Sequence, residues 1–288
     1  MKFLIVLLCI ILILAVYSVT EIFRFKITRY SVEQINIPAS LDGKTIMLLS
    51  DMHCTRFGRN NSRLFKAIEE CEADYIVIAG DLINGIKKSE SAYADEFLNF
   101  LSTLKKPIFY EFGNHEIKLR HKAGRKAYRR YVKLSSLHAK VLNNSYFELT
   151  EGVRLYGLLL DYGYYYGSIS KAAGQIDLQN LLRKPDSDSY NILLAHDPSF
   201  WKEYKQWGAD LCLSGHLHGG IIRLPFLGGL VSPRYRFFPK HDKGFYRAGD
   251  FVHIVSGGLG WHEIPFRFNN LPEIVCIHFV KTESFRSI

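Results

Sequence analysis

The hydrophobic pattern begins with an uncharged apolar run at residues 3–19. At about 1.5 Å of rise per residue, a helix of this length just reaches the lower limit for spanning a bilayer core. A cleaved secretory signal and a buried core helix are two other interpretations. The length of the run and the lack of a small-residue cleavage site after it favour a membrane anchor. We therefore predict an uncleaved, single-pass anchor over residues 1–22.

After the anchor, strand-like and helix-like patterns alternate. Apolar runs at residues 45–50, 75–79 and 107–112 have the character of buried strands, and polar residues follow each of them. Between these runs, residues 61–73 and 91–104 place apolar side chains at helical spacing. This β-α-β-α-β order predicts a parallel sheet, because each crossover helix returns the chain to the same edge.

The second half of the chain contains short, glycine-bounded strand patterns with fewer helices between them. These segments are residues 146–149, 153–160, 191–196, 209–215, 251–258 and 273–280. They predict a mixed sheet that faces the first sheet. An aromatic loop is expected at residues 161–167, where tyrosines either pack the loop or stack on a substrate ring. The predicted organisation is an anchor, a linker with the first strand over residues 23–44, and a domain over residues 45–288.

Composition excludes a disordered chain and locates most of the net charge. With 288 residues, 48% of them hydrophobic and 23% charged, the chain can bury a large core in one domain or at most two. The net charge of +9 is concentrated in residues 118–133, which contain eight basic residues and no acidic one. This segment is either a solvated helix face or a surface for anionic lipid heads or an anionic substrate. Nucleic acid is not the expected partner.

The cysteines and the charges on either side of the apolar run indicate the cellular compartment of the protein. Five cysteines without a CxxC pair indicate neither a disulfide framework nor a thiolate zinc site, so reduced surroundings are expected. Lys2 precedes the apolar run, whereas Arg24, Lys26 and Arg29 follow it. The positive-inside rule therefore predicts a cell-membrane protein whose large domain faces the cytoplasm.

Side chains that can bind metals or transfer protons follow five of the predicted strands. They are Asp51, His53, Asp81, Asn114, His115, His196, His216 and His218. Each residue alone has a structural explanation, such as capping the next helix. In open α/β sheets, however, the loops beyond the carboxyl ends of strands converge on one crevice. Helix capping does not explain the same chemistry at five strand ends, so a metal site is indicated.

The number of donors favours two ions over one. Asp51 and His53 are two residues apart, as are His216 and His218, so each pair can share one face. Two carboxylates, one amide and four imidazoles are too many for one tetrahedral ion, but suit two ions that share a carboxylate. Mixed nitrogen and oxygen donors without thiolate favour Mn²⁺, Fe²⁺ or Zn²⁺ over Ca²⁺. Two such ions about 4 Å apart suit in-line attack on phosphorus by a bridging hydroxide.

The motifs "DMH", "GD", "GNHE", "AHDP" and "GHLHGG" occur in this order and resemble those of the calcineurin-like metallophosphoesterases over about residues 45–280. The segments "GHLHGGIIRLPFLGGLVSP" and "GLGWHEIPFRFNNLPEI" are similar to a membrane-anchored bacterial branch. That branch includes the phosphodiesterase that acts on UDP-2,3-diacylglucosamine. The resemblance implies an α+β fold, a four-layer αββα sandwich of two facing mixed sheets behind the N-terminal transmembrane helix.

The resemblance also implies a role for each motif residue. One metal would be held by Asp51, His53, Asp81 and His218. The second would be held by Asp81, Asn114, His196 and His216, so that Asp81 bridges the two ions. His115 would face the leaving-group oxygen as a proton donor, and no covalent phosphoenzyme is implied. Ile221 stands where many relatives have Gln, which puts in doubt a substrate contact at that position.

The sequence thus predicts a membrane-anchored phosphoesterase that depends on two divalent metal ions, Mn²⁺, Zn²⁺ or Fe²⁺. The expected reaction is hydrolysis of a phosphodiester or pyrophosphate in a lipid-linked or nucleotide-sugar substrate. A broad-specificity phosphomonoesterase or a nuclease is the alternative enzyme. A non-catalytic metal-binding membrane protein is a further alternative, but such a protein would be expected to have lost a ligand or His115, and the chain keeps all of them.

Overall fold

Alternate residues of the central strands face two different cores. In β2 (Thr45–Leu49), Ile46 and Leu48 belong to a core shared between two sheets, whereas Met47 and Leu49 face a core on the helix side. Because successive side chains of a strand point to opposite faces, a run that is apolar at every position must be covered on both. The computed structural model describes residues 2–87, 89–166, 176–224, 226–232, 237–261 and 265–283.

Within the described residues, the first sheet has six strands. Their spatial order is β1 (Lys26–Gln34), β14 (Glu273–Lys281), β2, β3 (Tyr75–Ala79), β4 (Ile108–Glu111) and β5 (Lys140–Val141). The strands from β2 to β5 are parallel, which confirms the parallel arrangement predicted from the alternation of strands and helices. β14 runs antiparallel to β2, and β1 runs parallel to β14.

The second sheet also has six strands. Their order is β12 (Gly244–Ala248), β13 (Phe251–Val255), β9 (Leu211–Ser214), β8 (Tyr190–Ala195), β7 (Val153–Leu158) and β6 (Ser145–Thr150). The four central strands are parallel and the two outer pairs are antiparallel, so this sheet is mixed, as predicted. A separate hairpin is formed by β10 (Ile222–Leu224) and β11 (Gly228–Val231).

The last predicted strand lies in a different sheet from its neighbours in sequence. Residues 273–280 were grouped with the second sheet, but β14 pairs with β1 and β2 in the first. Its residues alternate between the two cores of that sheet, with Val275 in the core between the sheets and Cys276 on the helix side. A hydrophobic pattern shows that a strand is buried on both faces, but not which sheet contains it.

Helices cover the outer face of each sheet, which gives the four-layer αββα arrangement. Outside the first sheet lie α2 (Ser62–Glu69), α3 (Glu90–Thr103), α4 (Asn114–Lys122) and α5 (Arg125–His138). Outside the second lie α6 (Tyr162–Tyr166), α7 (Leu178–Leu182) and α8 (Trp201–Trp207). Two short 3₁₀ turns cover Arg59–Asn61 and Pro198–Phe200. Part of the expected loop at 161–167 is therefore helical, and Gly167 lies outside the described residues. In the two tail segments, which are residues 215–233 and 258–274 and resemble the membrane-anchored bacterial branch, residues 225, 233 and 262–264 also lie outside the described residues.

The N-terminal helix α1 (Lys2–Glu21) is long and apolar enough to cross a membrane. Of its side chains that the structure describes, only Ser18 and Glu21 are buried. This exposure excludes the buried core helix that the sequence left open. A signal sequence has the same length and composition, so the helix is a candidate span on these grounds alone.

Candidate metal centre

All eight residues predicted from the strand ends meet at one edge of the two sheets. β2, β3 and β4 of the first sheet and β8 and β9 of the second end there. None of the eight residues has more than 8% of its surface exposed. Three groups of ligand atoms, each lying within 4.8 Å of one another, are formed by Asp51, His53 and His218, by His53, Asp81 and His115, and by Asp81, His196 and His216.

One group of donors forms around His53 and His218. Their Nε2 atoms are 3.1 Å apart, with the rings stacked at a centroid distance of 5.0 Å. Oδ1 of Asp51 lies 3.5 Å from Nε2 of His218. Nε2 of His53 lies 4.0 Å from the same oxygen. Ligands bound to one ion at about 2.1 Å are about 3–4 Å apart, so these three side chains have the spacing of a shared coordination sphere.

A second group forms around His196. Its Nε2 atom is 3.0 Å from Oδ2 of Asp81, 3.0 Å from Oδ1 of Asn114 and 3.2 Å from Nδ1 of His216. This group contains residues from four strand ends and from both sheets. It could not be recognised from any one motif.

Asp81 lies between the two groups. Its Oδ1 atom accepts a hydrogen bond of 2.8 Å from the backbone N–H of His115, which fixes the carboxylate plane. Its Oδ2 atom then faces Nε2 of His196 at 3.0 Å and Nε2 of His53 at 3.8 Å. A single carboxylate oxygen is thus close to both groups of donors.

Backbone carbonyls orient two of the imidazoles. Nδ1 of His196 lies 2.9 Å from the carbonyl oxygen of Ala79, and Nδ1 of His115 lies 2.7 Å from that of Asn84. Because a carbonyl only accepts, each Nδ1 carries the proton and donates it. This arrangement directs Nε2 of each ring into the site, and in the neutral ring of His196 Nε2 is the nitrogen available to bind a metal.

The backbone adopts left-handed conformations at most of these strand ends. The φ angles are 50° at Asp51, 46° at His53, 56° at Asp81, 71° at His216 and 53° at His218. Non-glycine residues adopt positive φ in only a few per cent of cases, and such outliers concentrate at functional sites. The concentration of five at one sheet edge indicates that the fold holds these side chains in place against local preference.

Two glycines allow the carboxylates to approach the neighbouring backbone. A Cβ atom at Gly113 would collide with Oδ1 of Asp81 and lie 2.9 Å from Nε2 of His196. A Cβ atom at Gly215 would collide with Oδ2 of Asp51. Glycine is therefore required at both positions by the packing of the site.

The site is electrostatically coupled. Burial raises the pKa of Asp51 to about 6. Burial also acts to raise the pKa of Asp81, but the imidazoles of His196, His115 and His53 hold it well below its usual value. Asp81 in turn raises the pKa of His196, although burial opposes the charge. Buried carboxylates that depend on nearby positive charge are a suitable environment for divalent cations.

Glu116 is a functional residue whose role the sequence did not reveal. Its carboxylate accepts hydrogen bonds from the backbone N–H groups of Asp81 at 3.0 Å, Leu82 at 2.9 Å and Gly113 at 2.9 Å. It thereby ties the end of β3 to the start of α4, and burial raises its pKa to about 7. The sequence signal for this role is the spacing of a capping box, because Glu116 stands three residues after Gly113, the residue that precedes α4.

Arg267 and Tyr166 were also missed. The fully buried guanidinium of Arg267 lies 3.3 Å from Nδ1 of His218 and donates hydrogen bonds to the carbonyls of Gly257 and Gly260. Tyr166 accepts a hydrogen bond of 2.7 Å from Nδ2 of Asn114. Both contacts join segments that are distant in sequence, so no local spacing reveals them.

Comparisons with known proteins give a consistent family. The family model described as "Calcineurin-like phosphoesterase" matches residues 44–220. A similar protein from Bacillus subtilis, "Uncharacterized metallophosphoesterase YkuE", is 28% identical over 254 residues, which cover 86% of this chain and 82% of the relative. A zebrafish relative, "Transmembrane protein with metallophosphoesterase domain", is 28% identical over 290 residues, covering 92% of this chain and 60% of its own length. A solved dimetal phosphatase from Danio rerio is 12% identical with a TM-score of 0.42, covering 79% of this chain and 94% of that structure.

Proposed function

Because the chain belongs to the calcineurin-like phosphoesterase family, we propose that its buried strand-end residues form a two-metal centre that hydrolyses phosphodiesters or pyrophosphates. The chain is a metal-dependent phosphoester hydrolase with the metallophosphoesterase fold, and its family uses two metal ions. The proposed catalytic domain covers residues 45–288, behind a linker with the first strand over residues 23–44 and an anchor over residues 1–22.

The position of Asp81 is the single observation that carries the two-metal assignment. Its Oδ2 atom faces both groups of donors, at 3.0 Å from His196 and 3.8 Å from His53. We assign one ion to Asp51, His53, Asp81 and His218, and the other to Asp81, Asn114, His196 and His216. Nitrogen and oxygen donors without thiolate favour Mn²⁺, Zn²⁺ or Fe²⁺. Such a pair of ions supplies activated water and neutralises charge on the phosphoryl group.

His115 is assigned a separate role in the reaction. The carbonyl of Asn84 holds its Nδ1–H at 2.7 Å, so its Nε2 atom points into the site, 3.9 Å from Oδ2 of Asp81. A protonated imidazole in this orientation presents an N–H to the leaving-group oxygen and gives up its proton as the P–O bond breaks. Asn114, the preceding residue, begins α4, and its Oδ1 atom lies 3.0 Å from Nε2 of His196 in the second group of donors.

The proposed substrate is a membrane phosphodiester or pyrophosphate, of the lipid-linked or nucleotide-sugar type represented by UDP-2,3-diacylglucosamine. The exposed apolar helix α1 supports membrane anchoring, as does the name of the zebrafish relative, a transmembrane protein. Arg24, Lys26 and Arg29 follow α1 and support a domain on the cytoplasmic face. The tail segments that resemble the UDP-2,3-diacylglucosamine branch are the support for this substrate class.

The basic segment at residues 118–133 supports an anionic partner. It lies on α4 and α5, and all of its basic residues except the half-buried Lys118 are exposed. α5 leads into β5, which runs parallel to β4, so α5 runs back from the sheet edge that carries the site. The end of α4 and the start of α5 therefore lie near that edge, where exposed cations attract anionic substrates or lipid heads.

A substrate panel tests the proposed function. The metal-reconstituted full chain should hydrolyse bis-p-nitrophenyl phosphate with a higher kcat/KM than p-nitrophenyl phosphate, and should release UMP from UDP-2,3-diacylglucosamine in mixed micelles. Asp81→Asn serves as the matched inactive variant. A strong preference for the monoester would overturn the diesterase assignment. If the enzyme hydrolyses simple diesters but not UDP-2,3-diacylglucosamine, only the proposed substrate class is overturned.

A further inference from the structure

The route of the chain brings α1 to the same sheet edge as the metal centre. Lys26, the first residue of β1, is paired with Glu273 at the start of β14. β14 runs antiparallel to β2, with Val275 opposite Leu48. The start of β1 therefore lies at the carboxyl end of β2, from which Asp51 enters the site.

The last turn of α1 is bonded to the segment that supports the site. Ser18 Oγ donates a hydrogen bond of 2.7 Å to the carbonyl of Arg267, and Glu21 Oε2 accepts one of 3.0 Å from the backbone N–H of Asn270. The side chain of Asn270 donates a bond of 2.6 Å to the carbonyl of His218. One residue thus connects α1 to the loop that carries two of the proposed ligands.

Four large apolar side chains are exposed on the hairpin that follows this loop and on the segment that pairs with its second strand. Phe226 is 108% exposed, Leu227 66%, Phe237 71% and Phe238 55%. Phe226 and Leu227 form the tip between β10 and β11, and Phe237 forms a bridge with Val231 of β11. We call these four residues the apolar rim. Single exposed hydrophobic residues are ordinary, but a group of four on a small hairpin and the segment paired with it marks an interaction site.

A cavity of about 800 Å³ lies between α1 and the apolar rim. Tyr17 of α1 and Phe226 of the rim line it, and so do the exposed basic residues Lys26 and Lys240. The carboxylates in its wall accept hydrogen bonds from other groups of the protein. Asp242 Oδ2, for example, accepts hydrogen bonds of 2.6 Å from Arg223 and from the backbone N–H of Gly229. Four of the six charged residues that line the cavity are basic, so its lining carries a net positive charge.

We propose that the apolar rim inserts into the leaflet from which α1 emerges, and that the cavity beside it binds the phosphate head of an anionic phospholipid. The occupant is a bilayer because residues of the apolar helix α1 and of the rim line the same cavity, and because exposed aromatic side chains and lysines occur together there, as on interfacial surfaces. The metal centre then opens toward the membrane surface. This inference rests on the membrane anchor of the proposed function and does not depend on the chemistry of the site.

Depth-dependent fluorescence quenching tests the insertion of the rim. The full chain, one copy per nanodisc, would carry Phe226→Trp, with the unsubstituted chain as background for its native tryptophans. Ile35→Trp is the matched control, since Ile35 is 56% exposed and follows the end of β1 that is opposite α1, about 30 Å from Lys26. Lipids brominated near the top of the acyl chain should quench the added emission of Phe226→Trp at least about threefold more than that of Ile35→Trp.

Equal quenching of the two variants, or ready quenching of Phe226→Trp by aqueous iodide, would overturn the insertion. Because each disc holds one chain, that result would mean that the bilayer does not cover the rim, which would leave it to a second copy or to another protein. Leu8→Trp, in the middle of α1, separates the two proposals. If Leu8→Trp is quenched by brominated lipid and Phe226→Trp is not, only the docking surface fails. If neither is quenched, the anchor fails as well.

Retention of anionic lipid tests the cavity. Native mass spectrometry of the full chain in detergent with phosphatidylglycerol should show one lipid retained. The variant Lys26→Gln with Lys240→Gln should retain at least about fivefold less. Lys202→Gln with Lys205→Gln on α8, neither of which lines the cavity, should retain as much as the unsubstituted chain. Equal retention by the two double variants would overturn the headgroup site.

Discussion

The Oδ2 atom of Asp81 lies 3.0 Å from Nε2 of His196, while Oδ1 of the same carboxylate accepts the backbone N–H of His115 at 2.8 Å. The second contact fixes the carboxylate, and the first places one oxygen between donors from both sheets. A residue held in this way is positioned to bridge two ions. The proposed two-metal chemistry depends on this relationship more than on any other single contact.

Asp81→Asn should reduce turnover of bis-p-nitrophenyl phosphate by at least about 100-fold. The amide retains the shape of the side chain and can still accept the His115 N–H, but it lacks the charge that would bridge two cations. Steady-state kinetics with added Mn²⁺ measures the effect. Far-ultraviolet circular dichroism controls for folding, and a wild-type rate in a folded variant would refute the bridging role.

His115→Ala should reduce kcat in a way that depends on the leaving group. Diesters with a poorly acidic alcohol need a proton at the leaving oxygen, so they should lose about 100-fold or more, whereas p-nitrophenyl esters should lose less. Metal content should stay unchanged, because His115 is not an assigned ligand. Rates for a series of aryl and alkyl phosphodiesters give the comparison. A uniform loss across the series would argue against proton donation.

Replacing Arg125, Lys126, Arg129 and Arg130 by Gln should raise KM for an anionic, micelle-borne substrate about tenfold at low salt. The difference from the unsubstituted chain should shrink at high salt, since screening removes the attraction in both proteins. Lys202→Gln with Lys205→Gln is the control for lost surface charge elsewhere. An unchanged KM at low salt would leave the basic segment as a solvated helix face.

His253 should make the fold sensitive to acid. Burial, with a contribution from His241, lowers the pKa of His253 to about 3, and Ser214 Oγ lies 2.9 Å from its Nε2. Its unfolded value is about 6.5, so the unfolded chain takes up the proton first. The free energy of unfolding should therefore be unaffected by this group above about pH 6.5 and fall as the pH decreases toward 3, by about 2 kcal/mol at pH 5.

Urea unfolding of the full chain in detergent, at neutral pH and near pH 5, measures this loss. His253→Gln keeps a polar group beside Ser214 but does not titrate, so its acid destabilisation should be smaller than that of the unsubstituted chain by about 2 kcal/mol. If the two proteins lose the same stability between these conditions, His253 is not the acid-sensitive group.

The sequence was sufficient for the features that repeat along the chain. Asp51, Asp81 and His196 each follow a buried strand, and the rule that such strand ends converge predicted that they would meet. Contacts between segments distant in sequence could not be predicted in this way. The hydrogen bonds of Glu116 to the end of β3, and the approach of Arg267 to His218, depend on how loops pack. For the same reason the pattern of β14 predicted a strand but not its sheet.

Metal stoichiometry tests the two-metal centre most directly. The purified full chain, reconstituted with Mn²⁺ or Zn²⁺ and analysed by elemental mass spectrometry, should contain about two ions. His216→Ala and His218→Ala should each retain about one ion, from different sites, and the double variant should lose both. A single ion in the unsubstituted chain, or two ions retained by either single variant, would contradict the assignment.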